Sequence, residues 1–252
     1  NMQEPDMHLL GESDAWAGDL VEEVLASVAT VKVSCQRMNL KEAELVKIAV
    51  NNFVTMKISY ANSLYQASIL LGDIDIDIVT KAIGLDTRIG TKYLKGAAPY
   101  GGPCFPRDTR ALTALYNEIG VPSHLSNATE IVNKSHVQFV TQFIQKQILN
   151  HQVIGIVGLS YKKGTPVIEE SPGVSISLDL IKNGFDLIIW DDENALLPGD
   201  SINDAKYYQD LEDMVEKADF VLVTRPVDDM ESLSKILKVK QKPFLDLWRQ
   251  IQ

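Results

Sequence analysis

In the run YGGPCFPRD, residues 100–108, a cysteine stands directly behind two glycines and a proline and four residues ahead of an aspartate. The stretch that follows, PRDTRALTALYNEIG, has the apolar spacing of an amphipathic helix, with Pro106 suited to its first turn and Gly120 to its end. Cys104 then lies at a helix N-terminus. Unpaired amides there favour thiolate over thiol, which makes a sulfur nucleophilic near neutral pH. Asp108 is within reach of anything bound at that sulfur, but its charge opposes a thiolate, so a nearby cation is needed. An isolated cysteine beside a glycine turn also serves simply as a small buried hydrophobe.

A candidate cation comes from far upstream. Residues 39–71 contain no Pro or Gly until Gly72, the pattern of a long helix stopped by a glycine cap. Apolar residues occur on nearly every side of its middle, which predicts burial between helices or at a subunit interface. Lys47 and Asn51 stand four apart in it, so they project from one face about one turn from each other. Lys47 offsets Asp108 if this helix packs beside the cysteine loop. Spacing alone equally allows Lys47 to reach solvent and Asn51 to bond a neighbouring backbone.

Between these elements a second helix, 75–84, opens a long loop with five glycines from Gly84 to Gly102 and cations at Arg88, Lys92 and Lys95. Long glycine-containing loops in compact domains usually carry function. After a further helical run at 126–149 the chain alternates: strand QVIGIVGLSY, helix SPGVSISLDLIKNG, strand DLIIWDD, helix 207–219, strand FVLVTR, helix 229–238, strand PFLDL. That is a parallel sheet covered by helices, with a ligand crevice at the carboxyl ends of its strands. GIVGLSYKKGTP is not a Gly-x-Gly-x-x-Gly dinucleotide fingerprint, but it suits a phosphate near the next helix start, with Lys162 or Lys163 as counter-charge. Asp191 either holds a ribose or sits in a solvated turn.

Composition bounds the rest. With 252 residues, 45% of them apolar, and a net charge of −10, the chain can bury a sizeable core and is unsuited to non-specific binding of nucleic acid or anionic membrane. No apolar run approaches a membrane span, no signal peptide is visible, and the expected compartment is the cytoplasm. Cys35 and Cys104 are too few for a disulfide framework, and the four histidines lack metal-ligand spacing, so no metal is expected. Asn1 before Met2 looks like an expression scar. The stretch 5–35 reads as strand, helix, strand with VKVSC as the second strand, either the tail of a domain whose beginning is missing or a small α/β extension.

The segments EAELVKIAVN, RIGTKYLKGAAPYGGPCFPRD, GLSYKKGTPVIEESP and ADFVLVT, in that order and at these separations, resemble the central and C-terminal domains of the UDP-glucose/GDP-mannose dehydrogenase family over nearly all of the chain. The resemblance implies an α/β protein: 1–36 a remnant of an N-terminal dinucleotide-binding domain, 37–150 a helical central dimerisation domain, and 151–252 a Rossmann-like parallel α/β domain that binds the nucleotide sugar. It implies oxidation of the primary alcohol of a nucleotide-linked sugar to a carboxylate, with two hydrides passed to NAD and a homodimer formed through the long central helix. Cys104 would attack the aldehyde made in the first oxidation, Lys47 and Asn51 would stabilise the oxyanion, and Asp108 would activate the water that releases the product. Arg88 would reach the substrate of the other subunit. Tyr93, Lys95, Tyr100 and Gly101 would line the sugar, Tyr161 and Lys162 the nucleotide, and Arg107 the cofactor. Gly101 and Gly102 would let backbone approach the ligand.

The chain departs from the family pattern in places. Pro103 replaces a usual serine, Arg107 a usual lysine, and Glu169 stands where an arginine normally approaches the cofactor. The family's N-terminal NAD-binding domain is not recognised in these residues, so the chain alone is expected to bind nucleotide without oxidising it. A truncated nucleotide-sugar-binding or dimerisation module without oxidoreductase activity is the alternative.

Overall fold

A computed structural model describes residues 3–149, 152–196 and 205–251. They form two compact units, 1–53 and 54–252.

The first unit opens with β1 (His8–Gly11), α1 (Ala15–Val28) and β2 (Cys35–Met38). The two strands pair in parallel, His8 opposite Cys35 and Gly11 opposite Met38. The second strand starts only at Cys35, the last residue of the VKVSC stretch expected from the sequence. The pairing falls instead on CQRM, where Arg37 turns toward the carboxylates of Glu12, Asp19 and Glu22, while Val31 is left exposed. A charge-bearing strand of this kind carries no apolar alternation to mark it. The long helix α2 (Leu40–Leu71) follows. It starts in a capping box: the Asn39 side chain accepts from the Glu42 amide at 3.0 Å, and the Glu42 carboxylate accepts from the Asn39 amide at 2.9 Å. It ends, as expected, at Gly72 with φ +71°.

In the second unit, α3 (Ile76–Leu85) is capped by Asp75, and α4 (Phe105–Glu118) and α5 (His124–Gln145) follow. Helix α3 runs one residue past Gly84. This glycine admits close packing instead of a cap, since a Cβ there would lie 2.9 Å from the Thr91 side chain. The α/β part comprises β3 (Val153–Val157), α6 (Pro172–Lys182), β4 (Asp186–Trp190), β5 (Lys206–Tyr207), α7 (Leu211–Lys217), β6 (Phe220–Val223), α8 (Met230–Val239) and β7 (Phe244–Asp246). The sheet is parallel throughout, in the order β5-β4-β3-β6-β7. The strand order reverses between β3 and β6, which opens a crevice at their carboxyl ends. Strand β5 was not expected. Its second residue, Tyr207, lies at the start of the helix expected over 207–219, but Asp210 caps α7 only from Leu211, and Lys206–Tyr207 pair with Ile188–Ile189.

Alternation along the strands feeds two cores. Ile154, Ile156, Ile189 and Leu222 face one side with Ile144, Ile176 and Leu180 from α5 and α6. Val157, Val221 and Val223 face the other with Met214, Leu233 and Leu237 from α7 and α8. Each such fully buried side chain contributes about 1.5 to 3 kcal/mol. The mixed helical and parallel α/β architecture expected from the sequence is the one found. Among the described residues no helix is long and apolar enough to cross a membrane.

Candidate active site

The segment 94–100 has no helix or strand, yet Leu94 and Gly96 to Tyr100 are buried. Irregular backbone can be buried only if its polar groups find partners. Here side chains supply them. Asn62 on α2 accepts from the Ala97 amide at 2.8 Å and donates to the Ala98 carbonyl at 3.2 Å. Asn133 on α5 accepts from the Tyr100 amide at 2.8 Å and donates to the Tyr100 carbonyl at 2.9 Å. His136 lies 2.7 Å from the Ala97 carbonyl through Nε2 and 2.9 Å from the Gln66 amide through Nδ1. A carbonyl only accepts, so Nε2 carries the proton and Nδ1 takes the Gln66 N–H. Burial of this ring pushes its pKa down to about 4, opposed by the bond to Ala97.

This pinned segment forms one wall of a cavity of about 650 Å³. Tyr93, Lys95, Tyr100, Gly101 and Cys104 line it from the helical side, and Ser160, Tyr161, Lys162, Arg225 and Trp248 from the carboxyl ends of β3, β6 and β7. Cys104 occupies the N-cap position of α4 and is exposed, and Pro106 lies in the first turn. The other thiol, Cys35, is half-buried, and burial followed by Glu22 pushes its pKa up. Tyr93, whose backbone sits at φ +60°, stands edge-on to Phe105 with ring centroids 6.2 Å apart. Burial raises the Tyr100 phenol to about 12.

The structure therefore gathers seven of the sequence-derived residues, Tyr93, Lys95, Tyr100, Gly101, Cys104, Tyr161 and Lys162, around one cavity. Others lie outside its lining. Asp108 is buried in the first turn of α4, and the Arg107 guanidinium donates to it from Nε at 3.0 Å. Arg107 thus places a cation beside Asp108. Arg88 is 87% exposed and grips Asp86 with two donors. Lys47 and Asn51 belong to the first unit, on α2, where Lys47 is exposed and Asn51 half-buried.

Gly101 and Gly102 line the cavity and also pack closely on protein: a Cβ on Gly101 would strike the Glu170 carbonyl and Pro172, and one on Gly102, at φ +83°, would strike the Tyr161 ring at 2.5 Å. One expectation is corrected. Asp191 neither faces a ribose nor sits in a solvated turn. Its side chain, 2% exposed, accepts from the amides of Leu159 at 2.6 Å, Ser160 at 3.2 Å, Glu193 at 2.9 Å and Ala195 at 3.0 Å, and from Arg225 at 2.9 Å. It pins the turn that carries Tyr161 and Lys162. Of the two candidate counter-charges, Lys163 is tied to Asp228 at 2.6 Å, while Lys162 lines the cavity over the Tyr161 ring. The carboxylates of Asp192, Glu193 and Asp228 converge within 4.8 Å, but Arg225, the Gly164 amide and Lys163 already occupy them.

Sequence reasoning missed Asn62, Asn133, His136, Arg225, Trp248 and Arg249. The available signal was polar side chains on the buried stripes of α2 and α5, and positions just past the ends of β6 and β7 at a point of strand reversal.

Comparison with known proteins places these elements. Residues 41–135 match the sequence model of the UDP-glucose/GDP-mannose dehydrogenase family, central domain, and residues 155–252 match that family's UDP binding domain. A UDP-glucose 6-dehydrogenase of Pseudomonas aeruginosa is 28% identical over 187 residues, which cover 73% of this chain and 41% of that protein. The UDP-glucose 6-dehydrogenase TuaD of Bacillus subtilis is 30% identical over 220 residues, 83% of this chain and 47% of its own. The structure of a UDP-glucose dehydrogenase from Pyrobaculum islandicum superposes with a TM-score of 0.86 at 28% identity, covering 99% of this chain and 56% of that one. The chain spans about half the length of the curated relatives it matches.

Proposed function

This chain belongs to the UDP-glucose/GDP-mannose dehydrogenase family, and we propose that it carries the nucleophile and the nucleotide-sugar pocket of an NAD-dependent oxidation of a sugar primary alcohol to a carboxylate. The observation that carries this reading is the single cavity with Cys104 at a helix N-terminus on one wall and Tyr161–Lys162 on the other. A nucleotide sugar has two ends that suit these walls: a reactive carbon for the thiol, and an anionic diphosphate with an aromatic base for the lysine and tyrosine.

In the proposed chemistry Sγ of Cys104 adds to the aldehyde carbon left by the first oxidation, and the carbonyl oxygen becomes the hydroxyl of a thiohemiacetal. Loss of a second hydride from that carbon leaves a thioester. Water adds to it, the carbon–sulfur bond breaks, and the carboxylate departs as the thiolate is restored. NAD would supply the hydride acceptor for both oxidations. Arg107, 64% exposed one turn into α4, is the side chain this chain offers toward its phosphates. The turn after β3 does not fit a dinucleotide: Gly158 packs on the Arg225 side chain, and a Cβ on Gly173 would lie 2.5 Å from the Gly158 carbonyl. Asp108 receives the proton of the attacking water, and Lys47 and Asn51 stabilise the oxyanion. In the assembled protein, α2 pairs with its copy in a homodimer through exposed residues such as Phe53 and Tyr60, and Arg88 serves the partner's site.

Calorimetry with UDP and GDP tests the proposal. The chain should bind one of them weakly, with affinity that falls as salt rises and drops further in Lys162→Ala, and should reduce no NAD. Sedimentation on the same samples should show a dimer. Absence of binding by either nucleotide would overturn the assignment of this pocket.

A further inference from the structure

The chain's last described turn makes a clip across the pocket. Asp246, buried at the end of β7, accepts from the amides of Trp248 at 2.9 Å, Gln250 at 2.6 Å and Ile251 at 3.0 Å. These bonds hold Arg249 at φ +52°, a conformation that a non-glycine residue keeps only where its surroundings over-determine it. The two side chains carried by this turn part. Trp248 donates its indole N–H to the Thr224 carbonyl at 2.9 Å and lines the nucleotide half of the cavity.

Arg249 goes the other way. Its Nε and Nη2 donate to the two oxygens of Asp77 on α3 at 3.0 and 2.8 Å, and Nη2 also donates to the Gly96 carbonyl at 2.5 Å. Its guanidinium stacks over the Tyr65 ring at 4.8 Å. Only an arginine can meet a carboxylate with two donors, a carbonyl with a shared one and an aromatic face with its plane. Asp77 is held below the usual carboxylate range chiefly by this bond. Gly96 begins the buried wall, next to Lys95, and the contact spans 153 residues of sequence.

We propose that Arg249 is a positioning residue for nucleotide-sugar binding: by tying the turn after β7 to Gly96, it fixes the gap between the Lys95–Tyr100 wall and the Lys162–Trp248 wall. This rests on the reading of the cavity as a nucleotide-sugar site. A loop already held in its bound form binds without the cost of ordering it.

The test compares the wild-type chain with Arg249→Met, Arg249→Lys and Asp77→Asn, all well below their unfolding temperatures. UDP affinity is read by calorimetry, and amide hydrogen exchange is read over residues 94–101. Arg249→Met should weaken UDP binding about tenfold and Arg249→Lys less, because lysine keeps the charge and one donor. Exchange over 94–101 should speed up in Arg249→Met and Asp77→Asn, while β3 and β6 keep wild-type protection. A residue that served only overall stability would lower the unfolding temperature and leave UDP affinity unchanged. Wild-type affinity in folded Arg249→Met, or wild-type exchange over 94–101 in both variants, would overturn the proposal. If the wild type binds no nucleotide, the reading of the site fails, and the exchange result still decides whether Arg249 holds the loop.

Discussion

Replacing Asn62 by leucine should cost about 4 kcal/mol of stability, although the volume hardly changes. Asn62 is fully buried, and its amide satisfies both the Ala97 N–H and the Ala98 carbonyl of a segment that has no ladder or helix to fall back on. Leucine would strand both backbone groups, at about 1 to 3 kcal/mol each, and would leave no path for water to reach them without opening the loop. Urea unfolding checks the number. A loss below about 1 kcal/mol would mean that the segment is held by something other than these bonds.

The second large effect is a loss of stability in acid that a single ring should dominate. His136 is 0% exposed, and its folded pKa of about 4 lies below the usual 6.5, so the folded state disfavours the proton that the unfolded chain accepts. The resulting stability is fully present above about pH 6.5 and is lost as pH falls toward 4, by about 3 kcal/mol in total. Asp77 is depressed as well, by its bond to Arg249, but an aspartate lowered from 3.8 acts only in more acidic solution. In His136→Gln, whose amide can still donate to Ala97, the slope between pH 6.5 and 4 should flatten. Parallel stability curves for wild type and variant would show that the ring is not the group responsible.

How much of this was legible depends on the kind of signal each part leaves. Helix α2 was readable because an unbroken run and a terminal glycine are local, and the parallel sheet because its strands are continuous apolar runs between helical periods. Strands β2 and β5 were not, since CQRM and KY are set by pairing partners and ion pairs that no window contains. In the site, Cys104 and the glycine-rich loop stood out by residue type. The side chains that hold the loop did not, because Asn62, Asn133, His136 and Arg249 act on backbone 33 to 153 residues away. Asp191 was placed on the right turn but given the wrong partner: a strand-end carboxylate looks the same in sequence whether it faces a ribose or five internal donors.

The central claim is that the exposed thiol at the start of α4 shares its cavity with a nucleotide sugar, and the rate at which Cys104 is alkylated with and without that ligand tests it most directly. Cys104 should react at pH 7 faster than the half-buried Cys35, whose pKa is raised, with both read by mass spectrometry of the same peptide digest. Saturating UDP-glucose or GDP-mannose should then slow Cys104 several-fold and leave Cys35 unchanged. Equal rates for the two thiols, or a Cys104 rate indifferent to both nucleotide sugars, would contradict the account.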